Sequence, residues 1–171
     1  MAAIVVLSGS PSAGSRTAAL TERLAERLHG MGHRVRVVRI RDLPAAALIS
    51  ADTGDPEIAD VVASIRQADG IVVASPIYKA AYTGVLKTLL DLLPHLAFAG
   101  KVVLPLLTGA GQVHSLALDY ALRPVLSALG PDHITPGIFV ADKEIDERRP
   151  AIDAALDVFA TALDGAQRNA G

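Results

Sequence analysis

The chain's 171 residues suit one domain with a continuous core and fall short of two comfortable ones. A formal net charge of −2, with scattered Lys and Arg, leaves no basic stripe for a nucleic-acid backbone, so nucleic acid is not an expected partner. With no cysteine, disulfides, thiolate catalysis and Cys-based metal sites are excluded, which is compatible with a reducing compartment.

Residues 2–7 form an apolar run closed by the turn-rich segment 8–15, the pattern of a strand buried on both faces. Residues 17–31 place Leu20, Leu24, Ala25 and Leu28 at helical spacing, with Gly30 and Gly32 at the end. Residues 34–40 alternate basic and apolar, predicting a strand with one wet face near a sheet edge. A helix over 55–67 has Pro56 near its first turn. A third strand, 70–75, is wholly apolar; a helix over 84–93 stops at Pro94; a fourth strand covers 101–107. Residues 112–129 read as a helix ending at Gly130 and Pro131, 134–140 as a fifth strand, and 150–166 as a closing helix.

Hydrophobic residues make up 51% and aromatics only 4%, so Ala, Val, Leu and Ile must build the core, which favours helices packed on a sheet. Five strands alternating with five helices predict a parallel sheet covered on both faces, and right-handed crossovers make the small solutions doubly wound. The longest apolar runs are far below the about 20 residues of a membrane helix. The first seven residues lack the basic start of a secretory signal, so a cytoplasmic protein without a membrane partner is expected.

Ligands of such a sheet sit beyond the carboxyl ends of its strands. The first loop there, Ser8-Gly9-Ser10-Pro11-Ser12-Ala13-Gly14-Ser15-Arg16-Thr17, is rich in small residues and hydroxyls and opens onto a helix. Backbone N–H groups and the positive end of the helix dipole attract an anion there, and Arg16 adds a full charge. Plain N-capping by Ser15 or Thr17 is the alternative use. The loop lacks the lysine of a nucleotide-triphosphate loop and the glycine spacing of a dinucleotide loop, leaving a phosphomonoester that is held rather than cleaved. The second loop, Ser75-Pro76-Ile77-Tyr78-Lys79-Ala80-Ala81-Tyr82-Thr83-Gly84, offers aromatics and apolar surface to a flat heterocycle, or carries two half-buried surface tyrosines. The third, Thr108-Gly109-Ala110-Gly111, allows close backbone approach or is a plain turn. His29, His33, His95, His114 and His133 show no metal-ligand spacing and read as surface or packing residues, His114 being the one near a site loop. Pro124, four residues after Tyr120, has no N–H for the Tyr120 carbonyl, so the helix must kink or widen into a π-bulge there.

Gly9-Ser10-Pro11 and the run Ala74-Ser75-Pro76-Ile77-Tyr78-Lys79-Ala80-Ala81-Tyr82-Thr83-Gly84-Val85-Leu86-Lys87 resemble the NADPH-dependent FMN reductase family. Leu89-Leu90-Asp91-Leu92-Leu93-Pro94, Gly100-Lys101-Val102-Val103-Leu104-Pro105 and Asp119-Tyr120-Ala121-Leu122-Arg123-Pro124-Val125-Leu126 are similar in particular to the reductase of the alkanesulfonate two-component monooxygenase system. The resemblance implies one flavodoxin-like domain over 1–171, a three-layer sandwich whose five parallel strands run in the order 2-1-3-4-5. It implies an oxidoreductase in which NADPH, or NADH, reduces FMN for a partner monooxygenase, in a homodimer or homotetramer. Ser8, Ser10, Ser15, Arg16 and Thr17 would hold the phosphate, and Pro76, Ile77, Tyr78 and Lys79 would flank the ring. Thr108, Gly109 and Gly111 would meet its other edge, and Tyr120 would be a flavin-proximal π-helix residue at a subunit interface. Hydride transfer needs no protein nucleophile or metal. Two departures stand out: Ser12 occupies a position where family members often carry Arg, which leaves the phosphate charge to Arg16 alone, and the segment 142–150 is short. An NAD(P)H quinone or azo reductase that keeps its FMN is the alternative reading, and a non-enzymatic electron carrier a further one, which the weak net charge of −2 disfavours.

Overall fold

The computed structural model describes residues 1–169; the last two residues of the expected 1–171 domain lie outside them. The elements run β1 (Ala3–Ser8), α1 (Arg16–Gly30), β2 (Arg34–Arg39), a 3-10 turn (Ile40–Asp42), α2 (Ala45–Ser50), α3 (Pro56–Gln67), β3 (Gly70–Tyr78), β4 (Ala81–Tyr82) and α4 (Gly84–Leu90). Then come β5 (Val102–Gly109), a 3-10 turn (Gln112–Ser115), a π-helical turn (Leu118–Leu122), α5 (Arg123–Ala128), β6 (His133–Ile134), β7 (Ile138–Ala141) and α6 (Arg149–Asn169). Ser15 starts α1 by accepting from the Ala18 N–H, and Gly32 at φ +90° ends it while the His33 N–H turns back to the Leu28 carbonyl. Asp55 caps α3 on the N–H groups of Glu57 and Ile58.

The sheet runs β2-β1-β3-β5-β6, with β7 continuing beside β5 and β4 paired antiparallel to β3. Apart from β4 all ladders are parallel. Alternate residues of the central strands feed two cores. Val5, Leu7, Ile71, Val73, Val103 and Leu107 pack toward α3, α4 and α5, and Ile4, Val6, Val72, Ala74, Leu104 and Leu106 toward α1 and α6. The ammonium of buried Lys101 donates to the carbonyls of Arg66 and Ala68 at the end of α3, at 3.0 and 2.8 Å. Burial pushes its pKa below the ordinary lysine value against the opposing pull of Asp69 and Asp132.

The flavodoxin-like layers are as expected, but the sheet has seven strands rather than five. The expected fifth strand is two pieces, because Pro105 in β5 has no N–H for its neighbour and the register slips by one residue from Val103–Ile134 to Leu106–Ile138, leaving Pro136 and Gly137 in the break between β6 and β7. The β3 strand also runs past 75 to Tyr78 and turns into β4. The helix expected over 112–129 is a 3-10 turn, a π turn and α5, with the Arg123 N–H donating to the Leu118 carbonyl five residues back. The defect surrounds Tyr120, where the missing Pro124 N–H places it. Helix α4 ends at Leu90, the residues up to Leu93 being bonded in tighter turns. The six-residue α2 is too short to show a periodicity. Among the described residues no helix is long and apolar enough to cross a membrane.

At the break, a Cβ on Gly137 would lie 2.7 Å from Pro105 Cγ and 2.8 Å from the Pro105 carbonyl oxygen. Gly137→Ala is therefore expected to lower stability by about 2–3 kcal/mol, as overpacking against backbone does. Gly165→Ala, whose new methyl would have Arg168 Nη2 as its nearest neighbour at 4.0 Å, is expected to raise stability by up to about 1 kcal/mol through helix propensity. Thermal denaturation of the two variants should show shifts of opposite sign, and a shared direction would refute this account of the strand break.

Candidate active site

The carboxyl ends of β1, β3 and β5 lie side by side, with Ser8 in register with Ala74 and Pro76 with Thr108. From β1 the chain crosses to β2 on one flank, while β3 and β5 extend the sheet on the other. The loops after β1 and β3 thus diverge around the switch point at which such sheets hold ligands.

Buried hydroxyls tie these loops to one another. Thr83 Oγ1 caps α4 by accepting from the Leu86 N–H and donates to the Gly9 carbonyl at 2.5 Å. Its own N–H donates to Ser75 Oγ at 3.0 Å, and Ser75 Oγ donates to the Pro76 carbonyl at 2.8 Å. The Gly9 N–H reaches the Ala74 carbonyl at 2.8 Å, an approach that only glycine permits, since a Cβ there would lie 2.7 Å from Leu86 Cβ. Thr17 Oγ1 and Thr108 Oγ1 share a hydrogen bond of 2.6 Å, linking the first loop to the third. Sequence reasoning did not single out Ser75 and Thr83; Thr83 directly before an apolar helical run was the available signal.

Of the residues expected around the phosphate, Ser8, Ser10 and Thr17 are buried, Ser15 is half-buried and Arg16 exposed. Ser8 accepts from Thr21 at 3.4 Å, and Ser10 Oγ faces both the carbonyl and the N–H of Ser12. The capping role falls to Ser15 and not to Thr17, which lies inside α1. Arg16 Nη1 donates to the Asp142 carbonyl at 2.9 Å, and the residue lines a cavity of about 470 Å³ with Arg23, Asp142, Lys143 and Asp146 on the α6 side. A second guanidinium reaches the loop: Arg41 Nη1 donates to the Ser12 carbonyl at 3.0 Å.

Pro76, Ile77 and Tyr78 belong to β3, and Lys79 with Ala80 makes the two-residue turn to β4. Both turn residues are left-handed, at φ 52° and 64°, a conformation costing non-glycine residues about 1–2 kcal/mol each. The ladder pairs Tyr78 with Ala81 and Ile77 with Tyr82 and so holds the strain in place. Tyr78 is 53% exposed and Ile77 buried. In the third loop Thr108 and Gly109 end β5, and Gly111 precedes the 3-10 turn. A Cβ at Gly109 would lie 3.3 Å from the Phe139 ring and 3.4 Å from His114 Nδ1. Among the described residues that Nδ1 is buried without a hydrogen-bond partner. Tyr120, on the π turn that packs against β4, is 80% exposed.

Among the described residues the N–H groups of Gly14, Arg16 and Thr17 have no hydrogen-bond partner. Together with the orphaned His114 Nδ1 they fit a ligand bearing an anionic group at one end and a polar ring edge at the other.

The family model of NADPH-dependent FMN reductase matches residues 2–146. An FMN reductase (NADPH) of Escherichia coli strain K12 is 42% identical over 170 residues, covering 94% of this chain and 89% of its own. An FMN reductase (NADPH) of Pseudomonas putida strain KT2440 is 45% identical over 142 residues, covering 83% and 72%. The crystal structure of an NADH:FMN oxidoreductase in its apo form superposes with a TM-score of 0.85 at 38% identity, covering 99% of this chain and 90% of that one.

Thr83→Val keeps the shape of the side chain but strands the Gly9 carbonyl and the Leu86 N–H, so a loss of about 1–3 kcal/mol is expected in urea denaturation. Thr83→Ser, which retains the hydroxyl, should keep most of that stability; equal losses in the two would show that the hydroxyl is not what ties the loops.

Proposed function

The chain belongs to the NADPH-dependent FMN reductase family, and on that basis we infer that it is an NAD(P)H-dependent FMN reductase whose flavin lies across the tied loops at the strand tips. The observation that supports this placement is the unpaired start of α1 in a loop tied through Thr17 and Gly9 to the loops after β5 and β3. FMN supplies the hydride acceptor; the chain supplies position and electrostatics. The free N–H groups of Gly14, Arg16 and Thr17, at the positive end of α1, would receive the phosphate, with Ser10 and Ser15 adding hydroxyls. Ser8 and Thr17 would brace that cradle through their buried bonds to Thr21 and Thr108.

Pro76, Ile77, Tyr78 and Lys79 would flank the isoalloxazine, held by the hairpin ladder. Thr108, Gly109 and Gly111 would border its far edge, where His114 Nδ1 offers a polar group unmatched among the described residues. A ring supported on one face by this turn leaves the other for a reduced nicotinamide, and the relatives' names include both NADPH and NADH as donors. Delivery of reduced FMN to a flavin-dependent monooxygenase of the alkanesulfonate kind belongs to the same proposal, supported by the run 119–126. So does a homodimer or homotetramer, since the exposed Tyr120 sits on a π turn beside the ring loop, where a second copy would cover it.

Nicotinamide oxidation by the purified chain should depend on added FMN and yield reduced flavin; oxidation of NADPH and NADH no faster with FMN than without it would sink the assignment. Tyr120→Ala should shift the assembly toward smaller species in sedimentation velocity, and an unchanged distribution would remove Tyr120 from the subunit contact.

A further inference from the structure

A flavin phosphate carries about −1.5 to −2 charges at neutral pH, whereas the start of α1 offers only about half a positive charge. Arg16 is the cation of the loop itself, yet its Nη1 donates to the Asp142 carbonyl and its side chain lines the cavity on the α6 side. The opposite flank holds a second cation. Strand β2 is paired in parallel with β1, with Ser8 opposite Arg39, so the 3-10 turn Ile40–Asp42 emerges beside the first loop. From that turn Arg41 extends to the Ser12 carbonyl at 3.0 Å. Its side chain is 20% exposed, the least of the ion-paired cations among the described residues.

We propose that Arg41, delivered from the turn after the neighbouring strand, is the flank's guanidinium for the flavin phosphate in this chain. The proposal rests on the FMN-reductase reading above and adds a residue to it. A guanidinium has five N–H donors in a fixed fork. Arg41 uses Nη1 on the loop and Nε on its neighbour Asp42 at 3.2 Å, so N–H groups of Nη1 and Nη2 remain beside the loop. The Ser12 carbonyl that it grips also accepts from the Ser15 N–H at 3.3 Å and from Ser10 Oγ at 3.4 Å. Arg41 therefore joins the same turn whose free N–H groups would receive the anion, and its planar donor set suits a phosphate better than a point charge would. The paired arginines of the preceding strand β2, Arg36 and Arg39, are engaged with Asp60 and Glu22 on exposed faces and leave the loop to Arg41.

The experiment compares FMN with riboflavin, which has the same ring and no phosphate, in fluorescence titrations of the full chain. Arg41→Gln is expected to weaken FMN binding by about 10-fold to 100-fold, the range of a charge-assisted contact, while moving riboflavin by less than about twofold. Arg41→Lys should fall between, since it keeps charge and loses the fork. Asp42→Asn, which releases Arg41 from its ion pair without touching the loop, should tighten FMN by about twofold to fivefold and leave riboflavin unchanged. Equal losses for both flavins in Arg41→Gln would reduce Arg41 to a brace of the Ser12 turn and overturn the proposal, as would no loss for either. A wild-type chain that reduces FMN but binds it no better than riboflavin would remove the phosphate contact and the proposal while leaving the reductase; a chain that binds and reduces neither would defeat the underlying reading as well.

Discussion

The Thr83 hydroxyl, buried between two loops, donates to the Gly9 carbonyl and accepts from the Leu86 N–H. Most of the site's geometry follows from that pair of bonds. They fix the first loop to the start of α4, and Ser75 then binds the Thr83 N–H, so the end of β3 moves with them. The 2.6 Å bond between Thr17 and Thr108 does the same between the first and third loops. In an interior of low effective dielectric such bonds are strong and their loss leaves unmatched groups, so the three strand tips act as one rigid platform. Backbone strain at Lys79 and Ala80 persists because the platform and the two-residue ladder of β4 overdetermine it.

Much of this architecture was legible in the sequence because parallel strands buried on both faces appear as unbroken apolar runs and the covering helices carry clear caps. Asp55-Pro56 and Ser15 mark helix starts by chemistry that depends on neighbours two and three residues away. The π turn was legible for the same reason, since a proline abolishes one identifiable hydrogen bond at a known offset. The split between β6 and β7 was not. It arises where Pro105 of β5 lies against Gly137 between β6 and β7, with a one-residue slip in register, a tertiary fact that neither local pattern contains. The extension of β3 to Tyr78 was hidden by Pro76, which reads as a stop although its strand continues to pair with β5 there.

The site divides along the same line. The three loops could be found from sequence because the fold class dictates where they lie. The roles inside them could not be read as fully, because a hydroxyl's partner is set by packing. Ser8 and Thr17, chosen as phosphate donors, spend hydrogen bonds within the interior, whereas Ser75 and Thr83, given no role of their own from sequence, carry the ties. His114 stood close to the third loop in sequence, but only the structure shows its Nδ1 buried without a partner.

Charge around the first loop shows how a doubly wound sheet distributes such a task. Arg16 and Arg41 approach from opposite sides, one from the helix that follows β1 and one from the turn that follows β2. Each guanidinium ends on a backbone carbonyl and neither is buried in an isolated ion pair, so the desolvation cost of a buried charge is largely avoided. Cations held this way stay partly hydrated and retain donors, and an arriving anion need displace only water or share a carbonyl. Ser12 itself supplies no charge, yet its carbonyl is the point on which Arg41, Ser10 and the Ser15 N–H converge. A small residue at that position leaves room for a guanidinium from the neighbouring strand's turn, and the parallel register of Ser8 with Arg39 brings that turn within reach.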